Sequence, residues 1–115
     1  MNYRDYQERR RFPRASFLCK VILRSSQKEF LTHTQNISAG GVRILLFEDL
    51  EVKSKVQLVL FASRRLEMEG RIIWSLGIEK EVGEPLFDIG IEFLDLEKSD
   101  KEFLEHLVDK LLERK

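Results

Sequence analysis

Cysteine, proline and histidine are scarce in this chain of 115 residues, which contains one, two and two of them. A single cysteine excludes an internal disulfide, so a reducing compartment is the expected environment. No apolar run approaches the length of about 20 residues that a membrane-spanning helix needs, and the first residues lack the apolar core of a secretory signal. The sequence therefore predicts a cytoplasmic protein without membrane insertion.

Residues that commonly bind metals or carry catalysis are also few and scattered. His33 and His106 have no cysteine or carboxylate partners at the spacing of a metal site. No Ser/His/Asp or Cys/His arrangement is recognisable. Cys19 falls on the apolar face of a strand-like segment, where it is expected to be a small buried hydrophobic residue. These absences argue against a metal ion, a cofactor and an enzyme.

The charges balance overall but are unevenly distributed. Residues 1–28 contain eight Lys or Arg and two Asp or Glu, whereas the remainder contains twelve and eighteen. A basic N-terminal end favours an anionic partner there. Residues 1–16 have neither helical nor strand periodicity, so the sequence predicts a flexible basic arm over 1–16 and a folded domain over 17–115.

Alternation of apolar and polar residues predicts a mainly β fold of antiparallel strands. One predicted strand ends in Trp74, which is expected to share a face with Leu66 and Ile72, and Gly70 within it suggests a bulge or a close backbone approach. The predicted strands cover residues 17–24, 29–35, 42–46, 56–60, 66–74 and 86–94.

The last part of the chain is typical of an amphipathic helix. Ser99 and Glu102 form a capping box, in which Ser99 is the N-cap. An apolar stripe from Phe103 to Leu112 needs a surface to bury against. Short antiparallel strands with regular turns favour a closed barrel, so the stripe is expected to pack on one mouth or side of it.

Two short motifs indicate chemistry. Arg10 and Arg14 lie four residues apart on a segment stiffened by Pro13, and guanidinium groups pair bidentately with phosphate or with the O6/N7 edge of guanine. The second motif is a small polar turn whose backbone N–H groups can approach an anion. Its residues are Asn36, Ser38, Gly40 and Gly41. Together the motifs favour an anionic guanine nucleotide as ligand.

The two motifs in this order resemble the PilZ domain, a bacterial receptor for cyclic di-GMP, whose pattern is R-x-x-x-R followed by [D/N]-x-S-x-x-G. Arg10 and Arg14 match the first part, and Asn36, Ser38 and Gly41 match the second. Segments 70–74 and 88–93 also resemble late strands of the family, so the resemblance covers roughly residues 8–112. It implies a six-stranded antiparallel barrel with a C-terminal α-helix.

The resemblance also implies roles for individual residues. Arg10 and Arg14 would grip the phosphates and guanines of the ligand, and a basic residue at Arg9 tends in the family to accompany a stacked ligand dimer. Asn36 and Ser38 would offer hydrogen-bond partners to guanine or phosphate.

Two further parts of the turn and one aromatic residue complete the predicted site. Gly40 and Gly41 would let backbone N–H groups approach the ligand, and Trp74 would flank the bases. Simpler explanations remain open: the arginines could form a solvated basic tail, the polar residues and glycines could serve the turn alone, and Trp74 could be a core residue.

The predicted function is a single-domain cyclic di-GMP receptor that signals through ordering of its arm and is read by a downstream effector protein. One alternative is a ligand-independent PilZ-like adaptor, as in type IV pilus assembly, although intact motifs argue against it. The other is a barrel that binds single-stranded nucleic acid. Aromatic residues interleaved with basic ones along the strands are missing, so no nucleic-acid partner is predicted.

Overall fold

The computed structural model describes residues 13–113, which form antiparallel strands followed by one helix. The elements are β1 (Ala15–Ser16), β2 (Lys20–Ser25), β3 (Lys28–Ile37), β4 (Gly41–Leu46), β5 (Lys55–Phe61), β6 (Arg65–Ile78), β7 (Leu86–Leu94) and α1 (Lys98–Glu113).

The sheet closes on itself into a barrel. Its strand order is β1-β3-β2-β5-β6-β7-β4, and an additional pairing between β3 and β4 joins the two sides. The closed ring therefore contains six antiparallel strands, and the two-residue β1 is attached to β3 outside it. The predicted fold class, a six-stranded antiparallel barrel with a C-terminal helix, is confirmed.

Alternating apolar residues of the ring strands fill the barrel interior, as the period of a strand requires. The side chains of Leu23, Ile44 and Ile72 are fully buried there, with Ile89 and Ile91 of β7. Gly70 of β6 also faces this core, where an added Cβ would lie 2.6 Å from Cγ2 of Ile91. The predicted close approach at Gly70 is thus a contact with core side chains.

Helix α1 buries its apolar stripe against one end of the barrel. Leu104 and Val108 belong to the core, and the Arg64 guanidinium lies over the Phe103 ring at 4.8 Å. The first turn begins at Lys98, and the Glu97 carbonyl accepts a hydrogen bond from the N–H of Lys101. The predicted N-cap, Ser99, therefore lies inside the helix. Within residues 13–113, no helix is long and apolar enough to cross a membrane.

Buried Thr34 fixes the short segment between β1 and β2 through two hydrogen bonds. The Thr34 hydroxyl accepts a hydrogen bond from the N–H of Cys19 at 2.9 Å and donates one to the Phe17 carbonyl. Residues 15–19 consequently stay alongside β3, which pairs with β1 before this segment and with β2 after it. The predicted boundary of the arm after residue 16 differs from the structure, because Ala15 and Ser16 pair with β3 and Ala15 is buried. Residues 1–12 of the predicted arm lie outside the described residues.

The barrel has two different ends, and strand direction decides which residues lie at each. The helix end carries α1, the β3–β4 turn (residues 38–40) and the β5–β6 turn (62–64). The loop end carries the β2–β3 turn (26–27) and two longer loops, residues 47–54 and 79–85. The turn of the second sequence motif is therefore at the helix end.

Candidate functional site

The structure brings the two sequence motifs into direct contact. Arg14, which enters β1, donates from Nη1 to Oδ1 of Asn36 at 2.7 Å. The contact follows from strand pairing, because Ala15 is opposite Ile37 and Ser16 is opposite Asn36. An arginine from the arm and an amide from the turn therefore share one surface at the helix end.

Ser38 organises the turn that follows Asn36. Its hydroxyl oxygen accepts hydrogen bonds from the N–H groups of Gly40 and Gly41, both at 3.1 Å, and its own N–H donates to the Gly41 carbonyl at 2.9 Å. The Ser38 side chain is almost completely buried. This arrangement is the local turn chemistry that serine commonly supplies. Ser38 thus fixes the position of the backbone beside Asn36.

The glycines of the turn allow β4 to pack closely against β7. A Cβ on Gly41 would lie 2.3 Å from the carbonyl oxygen of Ile91, which no side chain tolerates. The Gly40 carbonyl accepts a hydrogen bond from the N–H of Phe93 at 2.9 Å. Gly41 is therefore required by the close approach of two backbones, whereas Gly40 is half-exposed and bonded to Ser38 and Phe93.

A continuous row of outward-facing residues extends from this turn across the barrel wall. Asn36 of β3 is opposite Arg43 of β4, Arg43 is opposite Gly90 of β7, and Gly90 is opposite Trp74 of β6. Directly opposite residues of an antiparallel pair lie on the same face of the sheet. Four strands therefore place an amide, a guanidinium and an indole on one outer surface.

A register shift in β6 puts Trp74 on that surface. Ile72 is opposite Ile91 inside the barrel, but the pairing slips by one residue before Trp74, which is opposite Gly90 outside. The prediction that Trp74 shares a face with Leu66 and Ile72 is therefore wrong, because the bulge reverses the alternation. The indole lies directly over Gly90, where an added Cβ would be 2.5 Å from its ring atoms.

Asp88 links Arg43 and Trp74 of this row. Its Oδ1 accepts a hydrogen bond from Nε of Arg43 at 2.9 Å and another from Nε1 of Trp74 at 3.2 Å. The carboxylate is 21% exposed and the Arg43 side chain 39%, so the ion pair is partly shielded from solvent. One carboxylate thereby orients both the guanidinium and the indole.

Sequence reasoning missed Arg43 and Asp88. A signal for Arg43 is present in the sequence: it is the first polar residue of β4, two positions after the turn motif, and alternation places it outward. Asp88 gives no comparable signal, because its role depends on contacts with Arg43 of β4 and Trp74 of β6. Among the predicted site residues, Arg9 and Arg10 lie outside the described part of the chain. The structure brings together Arg14, Asn36, Ser38, Gly40, Gly41 and Trp74 along the turn and the row.

The one cysteine of the chain, Cys19, is buried and does not belong to this outer surface. Burial raises the pKa of the Cys19 thiol, and hydrogen bonds to Thr34 and to the backbone of Phe61 oppose this effect. The thiol is therefore protonated and unreactive near neutral pH. In residues 13–113, no three His, Cys, Asp or Glu side chains are grouped as metal ligands.

Comparison with solved structures supports the fold assignment. The Bacillus subtilis inhibitor of motility MotI/DgrA is similar with a TM-score of 0.78 and 18% sequence identity, over 90% of this chain and 51% of its own. The present chain thus spans about half the length of that protein. The PilZ domain of Escherichia coli YcgR, solved with c-di-GMP, has a TM-score of 0.73 and 16% identity, over 92% and 93% of the two chains.

A third structure extends the same similarity. Borreliella burgdorferi PlzA in complex with c-di-GMP has a TM-score of 0.67 and 13% identity, over 96% of this chain and 56% of its own. A search of curated proteins gave no match. The family model described as the PilZ domain matches residues 8–110. Because this match extends over most of the chain, the protein belongs to the PilZ domain family.

Proposed function

We propose that this protein is a receptor for cyclic di-GMP. The observation that carries the proposal is the hydrogen bond between Arg14 and Asn36, which merges the two motifs into one surface. The solved PilZ structures of YcgR and PlzA that contain c-di-GMP support the same ligand class.

The chemistry of the surface fits a cyclic dinucleotide of guanine. Arg14 and Arg10 bind phosphate oxygens or the O6/N7 edge of guanine, since guanidinium groups match both. Asn36 supplies an amide beside Arg14. The N–H of Gly40 donates to the Ser38 hydroxyl and its carbonyl accepts from the N–H of Phe93, so Gly40 supports the shape of the turn. Ser38 acts mainly by holding this turn in shape.

The far end of the row supplies an aromatic platform. Stacking of a base on an aromatic side chain contributes roughly 1–3 kcal/mol. The Trp74 indole is oriented by Asp88 and is half-exposed, so a purine approaching from the turn meets its ring. Arg43 lies between Asn36 and Trp74 in the row and flanks the same ligand.

The output of the receptor is proposed to be the N-terminal arm. In this proposal, the part of the arm that precedes Arg14 becomes ordered over the bound nucleotide, and a downstream effector protein reads the changed surface. Most of that segment lies outside the described residues, so the switch stays a prediction. Backbone NMR relaxation of the free and the saturated protein tests it: an arm that is equally rigid in both states contradicts the switch without affecting the binding proposal.

Calorimetry with three ligands tests the proposed function. Cyclic di-GMP is expected to bind, and cyclic di-AMP much more weakly, because adenine presents an N6 donor where guanine presents the O6 acceptor. A single-stranded oligonucleotide serves as the third ligand and is expected not to bind. Equal affinities for the two dinucleotides would mean that the site recognises phosphate without distinguishing the bases. If none of the three ligands bound, a ligand-independent adaptor would be favoured.

A further inference from the structure

Exposed large hydrophobic side chains are concentrated at the loop end of the barrel, next to the Trp74 end of the row described above. Within residues 13–113, seven such side chains are exposed, and five of them belong to the loop end. These five are Phe47, Val52, Leu76, Ile78 and Val82. Of the other two, Leu18 lies between β1 and β2, and Leu31 lies in β3. Grouped apolar exposure of this kind marks interaction surfaces.

Strand register joins several of these side chains into one area. Leu76 and Ile78 project outward from the end of β6, where Ile78 is opposite Leu86 of β7. Phe47 directly follows β4, whose last residue is opposite Phe87 of β7. Nζ of Lys80 lies 5.7 Å from the centre of the Phe47 ring, which connects the 79–85 loop to this area. We name the area formed by Phe47, Leu76, Ile78 and Val82 the loop-end patch.

An open sheet edge borders the loop-end patch. Strand β5 pairs with β6 only as far as Arg71, and the backbone of Lys53 and Ser54 pairs with Ile72. Asp49 and Leu50 then contact the Ser75 hydroxyl. Among residues 13–113, no strand pairs with residues 76–78 on the side away from β7. An uncovered strand edge is a template for strand addition.

The loops around the patch are acidic. Residues 47–54 and 79–85 contain six Asp or Glu side chains and two Lys. Of these two lysines, Lys80 donates to the Glu84 carbonyl. Glu48 pairs with Lys28 of β3 at 3.0 Å, and the two loops together remain negatively charged. The surface therefore combines an apolar centre with a negative rim, which is complementary to a basic amphipathic segment.

We propose that the loop-end patch is a docking surface for an extended basic segment of a partner protein, added as a strand along residues 76–78 of β6. Apolar side chains of the segment contact Leu76 and Ile78, and its lysines or arginines face the acidic loops. Pairing of two copies through their loop ends fits poorly, because each would bring a like-charged rim to the same surface. The inference does not rest on cyclic di-GMP binding. The loop-end patch borders the Trp74 end of the proposed nucleotide site, because Leu76 is opposite Asp88, whereas Arg14 and Asn36 lie at the helix end.

A synthetic strand tests the proposal with the full chain. The probe is a capped octapeptide of alternating Val and Lys, titrated into the ¹⁵N-labelled protein, and its charge-reversed control alternates Val and Glu. We expect amide shift changes centred on residues 76–78. The dissociation constant should be at least about tenfold weaker for the acidic peptide, since it faces like charges.

Protein variants locate the effect. The double substitution Leu76→Ser with Ile78→Ser should also weaken binding of the basic peptide at least about tenfold, because it removes the apolar contacts. Leu18→Ser is the matched control, since Leu18 is 73% exposed but distant from the patch, and it should bind normally. Dispersed amide spectra of all variants establish that they remain folded.

Four outcomes overturn the proposal: shift changes located elsewhere, equal binding of the acidic peptide, unchanged binding by the double variant, or no change at millimolar probe. A concentration-dependent dimer in sedimentation experiments, with shifts at residues 76–78 in the absence of peptide, would also overturn it, because the occupant would then be a second copy of the chain.

Discussion

The guanidinium of Arg14 donates to the amide oxygen of Asn36 at 2.7 Å, although 22 positions separate the two residues along the chain. The contact depends on β1, which holds the residues just after Arg14 against the end of β3. The fold itself therefore holds one arginine of the proposed receptor beside the turn motif.

Replacing Arg14 with Ala should weaken cyclic di-GMP binding at least about tenfold, because loss of a bidentate contact costs roughly 1–3 kcal/mol. The barrel should remain folded, since Arg14 lies outside its core. Calorimetry provides the measurement. Arg24→Ala is the control: Arg24 is an exposed strand arginine paired with Glu29 near the loop end, and its loss should leave the affinity unchanged. Arg10→Ala is expected to resemble Arg14→Ala, and unchanged affinity in both would refute the site.

The sole tryptophan of the chain reports directly on the proposed platform. Cyclic di-GMP should quench the fluorescence of Trp74 if a guanine stacks on it. Asp88→Ala should make the free protein more sensitive to acrylamide and weaken ligand binding severalfold, because the indole and Arg43 lose their shared acceptor. Glu67→Ala, an exposed β6 variant that removes only an ion pair with Arg65, is the control.

Acrylamide quenching and ligand affinity of Asp88→Ala together distinguish the orienting role of Asp88 from the role of Trp74 in binding. More acrylamide quenching with unchanged affinity would mean that Asp88 orients Trp74 but that the indole is not a platform. No change in quenching would contradict the orienting role of Asp88 itself.

Thr34→Val should lower the free energy of unfolding by about 1–3 kcal/mol, because it leaves the buried N–H of Cys19 and the Phe17 carbonyl without their partner. Chemical denaturation measures this loss. Thr34→Ser, which keeps the hydroxyl, should recover most of the stability. Equal losses in both variants would show that the methyl group, and not the hydroxyl, stabilises the segment between β1 and β2.

The barrel and its helix were predictable because they depend on local patterns. Alternation identified the six strands of the ring, and the apolar stripe identified the buried face of α1. The bulge before Trp74 was not predictable, since no single residue type imposes it. The role of Asp88 was not predictable either, because it depends on register between β4, β6 and β7 that only the closed barrel defines.

Cys19 should react with iodoacetamide much more slowly in the native protein at pH 8 than in the unfolded chain. Its side chain is buried and its thiol pKa is raised, so both access and the thiolate fraction are reduced. Mass spectrometry over time measures the modification. Equal rates in native and denatured protein would contradict the described environment of Cys19.

Arg9→Ala should reduce the stoichiometry of cyclic di-GMP from two per chain to one, if Arg9 supports a stacked ligand dimer as the family resemblance implies. Arg9 lies outside the described residues, so this prediction rests on the sequence alone. Calorimetric stoichiometry at saturating ligand measures it. A wild-type value of one would remove the proposed role of Arg9 and leave the Arg14 prediction intact.

The backbone conformation of Gly90 would allow other residues at this position, but the Trp74 side chain leaves no room for one. Within residues 13–113, Gly83 is the glycine with a positive φ. Gly90 therefore has a backbone conformation that any residue can adopt. The obstacle is the Trp74 indole, which occupies the space of a Cβ. Positions 74 and 90 should consequently covary among homologues, with a side chain at 90 tolerated where 74 is small. In the laboratory, Gly90→Ala should destabilise the native chain and cost far less alongside Trp74→Leu.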